Sequence, residues 1–139
     1  MKDTVSIEYA KKLHKAGIEI DCAMVWHFKL LVGKYWVIPK SELPDEGTIG
    51  DVSEQEPNYL APMLHELLPY MPKVIYGKDD RGEFSFYLSI DDDNFIAGYF
   101  DNCLQEWFKG KSISDANPAD ACAELLLWTK NNVEVDLDE

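Results

Sequence analysis

The chain has 139 residues, 46% of them hydrophobic and 12% aromatic, enough for one packed core and too much for a disordered polymer. Its 13 basic and 26 acidic residues give a net charge of −13, and Arg81 is the sole arginine, which argues against sequence-independent binding to a nucleic acid backbone. No apolar run reaches the roughly 20 residues of a membrane span, and none follows Lys2, so no membrane association and a cytoplasmic setting are expected, with Cys22, Cys103 and Cys122 as reduced thiols.

Taken in order, Val5-Ser6-Ile7 opens a first helix with Ser6 as its cap. Ile7, Ala10 and Leu13 form a narrow apolar stripe, and Gly17 stops the helix with Ile18 placed to touch Leu13. Lys11, Lys12 and Lys15 fall where cations complement the helix dipole. Ala23 to Val32, a turn at Gly33 and Lys34 to Ile38 then read as a hairpin rich in β-branched and aromatic residues. Trp26, Phe28, Tyr35 and Trp36 either fill a core or form a patch for a partner; with apolar residues on both strand faces, the pattern leaves both open.

Pro39 to Asn58 is a long irregular stretch with three prolines and several acids, among them Asp45, Glu46, Asp51, Glu54 and Glu56. Loops of that length are usually functional or mobile, so it is the expected recognition loop. Ala61-Pro62 is expected to start a second helix, with Met63, Leu64, Leu67 and Leu68 as its apolar face and Pro69 and Pro72 at its end. Lys73 to Gly77 reads as a strand.

From Phe84 to Ile90 the residues alternate strictly: Phe84, Phe86, Leu88 and Ile90 on one side, Ser85, Tyr87 and Ser89 on the other. That is a strand with one buried face. Asp91-Asp92-Asp93-Asn94 makes a turn into a second strand, Phe95 to Phe100. A turn at Asp101-Asn102 leads to a third, Cys103 to Phe108, and Gly110 closes the meander. Asn117-Pro118-Ala119-Asp120 starts the last helix, running from Ala121 to about Asn131. Ala121, Leu125 and Trp128, flanked by Cys122 and Leu126, should cover the sheet, with Asp120, Glu124 and Asn131 facing away. Val133 to Glu139 is an acidic tail expected to fray.

The motifs that carry chemistry fail on spacing. His65-Glu66 begins a zinc-protease helix motif, but position 69 is Pro where the second His would stand. Asp91 to Asn94 starts like a calcium loop and then has Ile96 and Asn102 where Gly and Glu are needed. No phosphate-binding Gly-rich loop or nucleophile elbow occurs, and His14, His27 and His65 are too scattered to join the cysteines as a metal site. No catalytic residue, metal ligand or cofactor site is assigned.

Three segments are familiar together: Val5 to Leu13 with Gly17-Ile18, Leu60 to Pro69, and Pro118 to Trp128. They resemble a loose group of small uncharacterised proteins encoded in bacteriophages and prophages. The resemblance implies a phage-derived accessory protein in a bacterial cytoplasm and carries over no catalytic residue.

The expectation is therefore one α+β domain, residues 1–139, with a single antiparallel sheet of about five or six strands and helices packed on one face. Its expected function is to bind a host or phage protein as a monomer or weak homodimer, through Trp26, Phe28, Tyr35, Trp36, Asp45, Glu46 and Asp51. One alternative is an acidic inhibitor that mimics nucleic acid. The other is a hydrolase or metal-dependent enzyme built on turn carboxylates.

Overall fold

The computed structural model describes residues 4–29, 33–42, 58–77 and 82–132. Helix α1 (Ile7–Lys15) is followed by strands β1 (Met24–Lys29), β2 (Lys34–Pro39) and β3 (Tyr59–Leu60), then a one-turn helix α2 (Leu64–Leu67). Strands β4 (Val74–Tyr76), β5 (Glu83–Asp91), β6 (Asn94–Asp101) and β7 (Glu106–Asp115) precede the long helix α3 (Pro118–Asn132).

The α+β class is as expected, but the strands form two antiparallel sheets, not one. The first has the order β2-β1-β3 and the second β4-β5-β6-β7. The returning chain pairs Tyr59 with Trp26 and Leu60 with Val25, so β3 occupies the edge of β1 that a single sheet would have needed. A joint core replaces the continuous sheet. Trp26 and Tyr59 from the first sheet, Ile75, Phe84, Ala97, Tyr99 and Ile113 from the second, and residues of all three helices belong to one buried apolar cluster.

Local signals behave as their chemistry requires. Ser6 Oγ accepts the Tyr9 N–H, and beyond α1 the Ile18 N–H reaches the Leu13 carbonyl while that of Gly17 reaches His14, the two bonds of a Schellman ending. Asn117 Oδ1 accepts the Ala119 N–H at 2.9 Å, capping α3 with Pro118 at its first position.

Three boundaries are corrected. Pro62 does not start α2: its carbonyl accepts the Val5 N–H, Ala61 N–H bonds Met24, and helix begins at Leu64. The third meander strand is not Cys103 to Phe108. Asp101 Oδ1 accepts the N–H groups of Cys103 and Leu104, which makes those two residues turn, and the strand runs from Glu106 to Asp115. Gly110 does not end it. Lys109 (φ 53) and Gly110 (φ 66) take left-handed backbone within β7, and the β6–β7 register shifts between Gly98 and Phe100, as a bulge does.

Of the α3 residues assigned to solvent, Asn131 is exposed, and the other two are corrected. Asp120 is buried, and its Oδ1 accepts the Ser6 N–H at 2.6 Å. One turn further, Glu124 Oε1 accepts the Tyr9 hydroxyl. The polar stripe at i and i+4 is where α1 docks, while Leu125 and Leu126 are buried in the core.

Candidate functional site

The residues singled out in the first hairpin do not share a surface. Trp26 lies in the core, and its Nε1–H donates to the Val5 carbonyl at 3.0 Å. Phe28 packs edge-on against Tyr35 with centroids 5.2 Å apart, and Tyr35 stands 6.1 Å from Tyr59. Lys11 of α1 reaches over this group, its Nζ 5.3 Å from the Tyr35 ring centroid and 5.9 Å from that of Tyr59. Trp36, paired with His27, has the opposite strand parity and is 47% exposed. Asp45, Glu46 and Asp51, with residues 43–57 of the expected recognition loop, lie outside the described residues, as does the tail at 133–139.

A second aromatic group stands on the four-stranded sheet. Phe84, Phe86 and Leu88 turn inward to the core with Ala97, Tyr99 and Ile113. The alternate positions point outward, and the pairing arranges them in rows: Ser89–Ile96–Ser114, Tyr87–Gly98–Ser112 and Val74–Ser85–Phe100–Trp107. No charged side chain occurs in these rows, although 28% of the chain is charged. Tyr87, Phe100 and Trp107 touch one another, with centroids 6.1, 5.6 and 5.0 Å apart. Tyr87 is 46% exposed, and Phe100 and Trp107 are half-buried.

Gly98 makes the cluster possible. A Cβ there would lie 2.7 Å from Cε3 and Cζ3 of Trp107 and 3.1 Å from the Lys111 carbonyl, so the indole occupies the space of the missing side chain. Beside the rings the surface dips into an open concavity of about 620 Å³, bordered by Tyr76, Glu83, Ser85, Phe100, Asn102 and Leu104. Its shape is held by Asp101. That carboxylate accepts from Glu83 N–H at 2.7 Å, Cys103 N–H at 2.7 Å and Leu104 N–H at 3.0 Å, which holds its pKa below the ordinary Asp value. Tyr76 and Leu104, at the rim, are 67% and 49% exposed.

The other perturbed titratable groups lie elsewhere and apart. Burial raises the pKa of Tyr9, Tyr99 and Cys22, and pushes the Cys122 thiol up to about 12. Asp120 is raised too, by burial against the opposing Ser6 hydrogen bond. Tyr99 donates to the Pro72 carbonyl at 2.7 Å, and Cys22 to that of Met24 at 3.4 Å. Each serves packing where it stands. Among the described residues, no group of three or more His, Cys, Asp or Glu side chains is arranged to hold a metal ion, and no helix is long and apolar enough to cross a membrane.

The outward ring cluster was half-visible in the sequence. Period-two alternation assigns Tyr87 to the polar side of β5, an aromatic residue between two serines. Phe100 and Trp107 join it only through cross-strand register. Comparison with protein-family models, curated proteins and solved structures gives no match.

Proposed function

We propose that this chain is a non-catalytic accessory protein, of the phage-derived kind it resembles, that holds another protein against the outer face of its four-stranded sheet. The observation that carries this reading is the outward-facing cluster of Tyr87, Phe100 and Trp107 in rows of serines without a charged side chain. The centres of protein interfaces are poor in charge and rich in Tyr, Trp and Phe, and such rings dominate binding energy when a partner desolvates them. The rigid backbone beneath supports the same reading, because rings on a paired strand lose little freedom on binding. The carboxylate hydrolase receives no comparable support, since Tyr9, Tyr99, Asp120 and Cys122, the groups shifted upward by burial, stand apart from the turn carboxylates.

The test is affinity capture from bacterial lysate with tagged protein and its Tyr87→Thr variant in parallel, after melting curves establish that both are folded. A protein retained by the first and reduced about 30-fold or more by the second is the expected result. Identical retention by both overturns the assignment of this face.

A further inference from the structure

We infer that the partner docking on this face is a basic protein surface that presents arginine to the rings; the inference rests on the binding reading above. The observation behind it is where the charges stand. The central rows are neutral, but exposed acids lie at both ends of the sheet: Asp92 and Asp93 at the β5–β6 turn, and at the opposite end Glu83, which shares the outward parity of Ser85. Among the described residues, the lysines nearest this sheet are turned away from the face. Lys109 Nζ lies 5.6 Å from the centroid of Phe108, which packs on the core side. Lys111 lines a cleft with Tyr9 and Glu124 on that same inner side. Lys73, just before β4, has the inward parity of Ile75. These placed carboxylates offer an arriving cation partners at the edges of the neutral rows, and opposite charge steers encounter from a distance.

Arginine suits both parts of the surface. Its planar guanidinium is weakly hydrated and stacks on tyrosine or tryptophan, while its fork matches a carboxylate at the rim. Lysine, a compact and strongly hydrated charge, is a poorer match to the rings. A second copy of this chain is a poor occupant, because it would bring like acids against like at both ends.

The probes are capped hexa-arginine, hexa-lysine and hexa-glutamate peptides, titrated into isotope-labelled full-length protein at about 0.05 M salt and followed by NMR. Hexa-arginine should shift the Trp107 indole and the amides of Ser85 to Ser89 and Phe100 saturably, about fivefold more tightly than hexa-lysine. Raising salt to about 0.5 M should weaken it steeply, and hexa-glutamate should not bind. Neutralising the rim (Glu83→Gln, Asp92→Asn, Asp93→Asn) should cost about tenfold, and Tyr87→Thr should erase the preference for arginine over lysine. Shifts spread over the acidic surface without the rings, equal binding of the two cationic peptides, or an unaffected rim variant would each overturn the inference. A Tyr87-dependent lysate partner that persists at high salt would also remove the basic partner while leaving the binding face intact. Capture indifferent to Tyr87 would remove the face itself.

Discussion

In the three-stranded sheet the rings of Trp26, Phe28, Tyr35 and Tyr59 lie on the face that α1 crosses, whereas in the four-stranded sheet Tyr87, Phe100 and Trp107 lie on the side away from α3. Both groups sit on antiparallel strands, and both look alike in composition. What separates them is the third partner. A helix supplies Lys11 and His14 to the first group, His14 meeting Tyr59 edge-on at 5.6 Å, and among the described residues nothing comparable reaches the second. Aromatic content therefore marks neither core nor interface; the cover does.

The difference can be broken most severely at the helix that covers the inner face. Leu125→Asp buries an unpaired charge between α3 and the sheet and should abolish cooperative unfolding, and a variant with an unchanged melting temperature would refute the packing. Trp26→Ala, in the covered group, should cost roughly 3–5 kcal/mol, because it removes a buried ring and the partner of the Val5 carbonyl. A shift of less than about 1 kcal/mol in denaturant titration would place that ring outside the core. Gly98→Ala forces a methyl into the Trp107 ring and should cost roughly 1–3 kcal/mol, with a changed Trp107 indole resonance as its signature.

Asp101 connects the comparison to pH. Its folded pKa lies below the ordinary Asp value, so its contribution is complete above that value and is lost as pH falls through the folded pKa. Melting temperature followed from neutral to acid pH should therefore decline more steeply in the native chain than in Asp101→Asn. Asp120, shifted the opposite way, is common to both and drops out of the difference. Parallel profiles would show that the three N–H groups do not favour the charged form. The smallest effect belongs to the uncovered group: Tyr87→Thr should change stability by no more than about 0.5 kcal/mol, and a core-sized loss would mean that the ring is structural.

The sequence was most legible where a signal is local. Ser6 and Gly17 bounded α1, Asn117-Pro118 began α3, and alternation defined β5 with Phe84, Phe86 and Leu88 on its inner face, while Ile90, expected beside them, is 66% exposed at the strand's end. It was least legible where a distant partner decides. Asp120 and Glu124 form a polar stripe on any helical projection, and only the arrival of Ser6 and Tyr9 makes them an interface. Cys103 and Leu104 suit a strand until Asp101 claims their N–H groups, and Gly110 looks like a stop until β6 pairs across it. The candidate site shows the same division. Tyr87 could be assigned to the outer face from its neighbours, while Phe100 and Trp107 required the register and the bulge.

The bonds around Thr4 and Ser6 carry a consequence for synthesis. Ser6 N–H closes on Asp120 across 114 positions, and Asn117 Nδ2 donates to the Thr4 carbonyl across 113. On the ribosome, α1 must therefore wait for nearly the whole chain before its docking site exists. Until α3 emerges, the inner face of the four-stranded sheet is as open as the outer one, and a stalled chain exposes aromatic surface on both sides. Such contacts at long sequence separation make the assembly of α1 on α3 a late and slow step, and a nascent chain is a target for chaperones up to that moment.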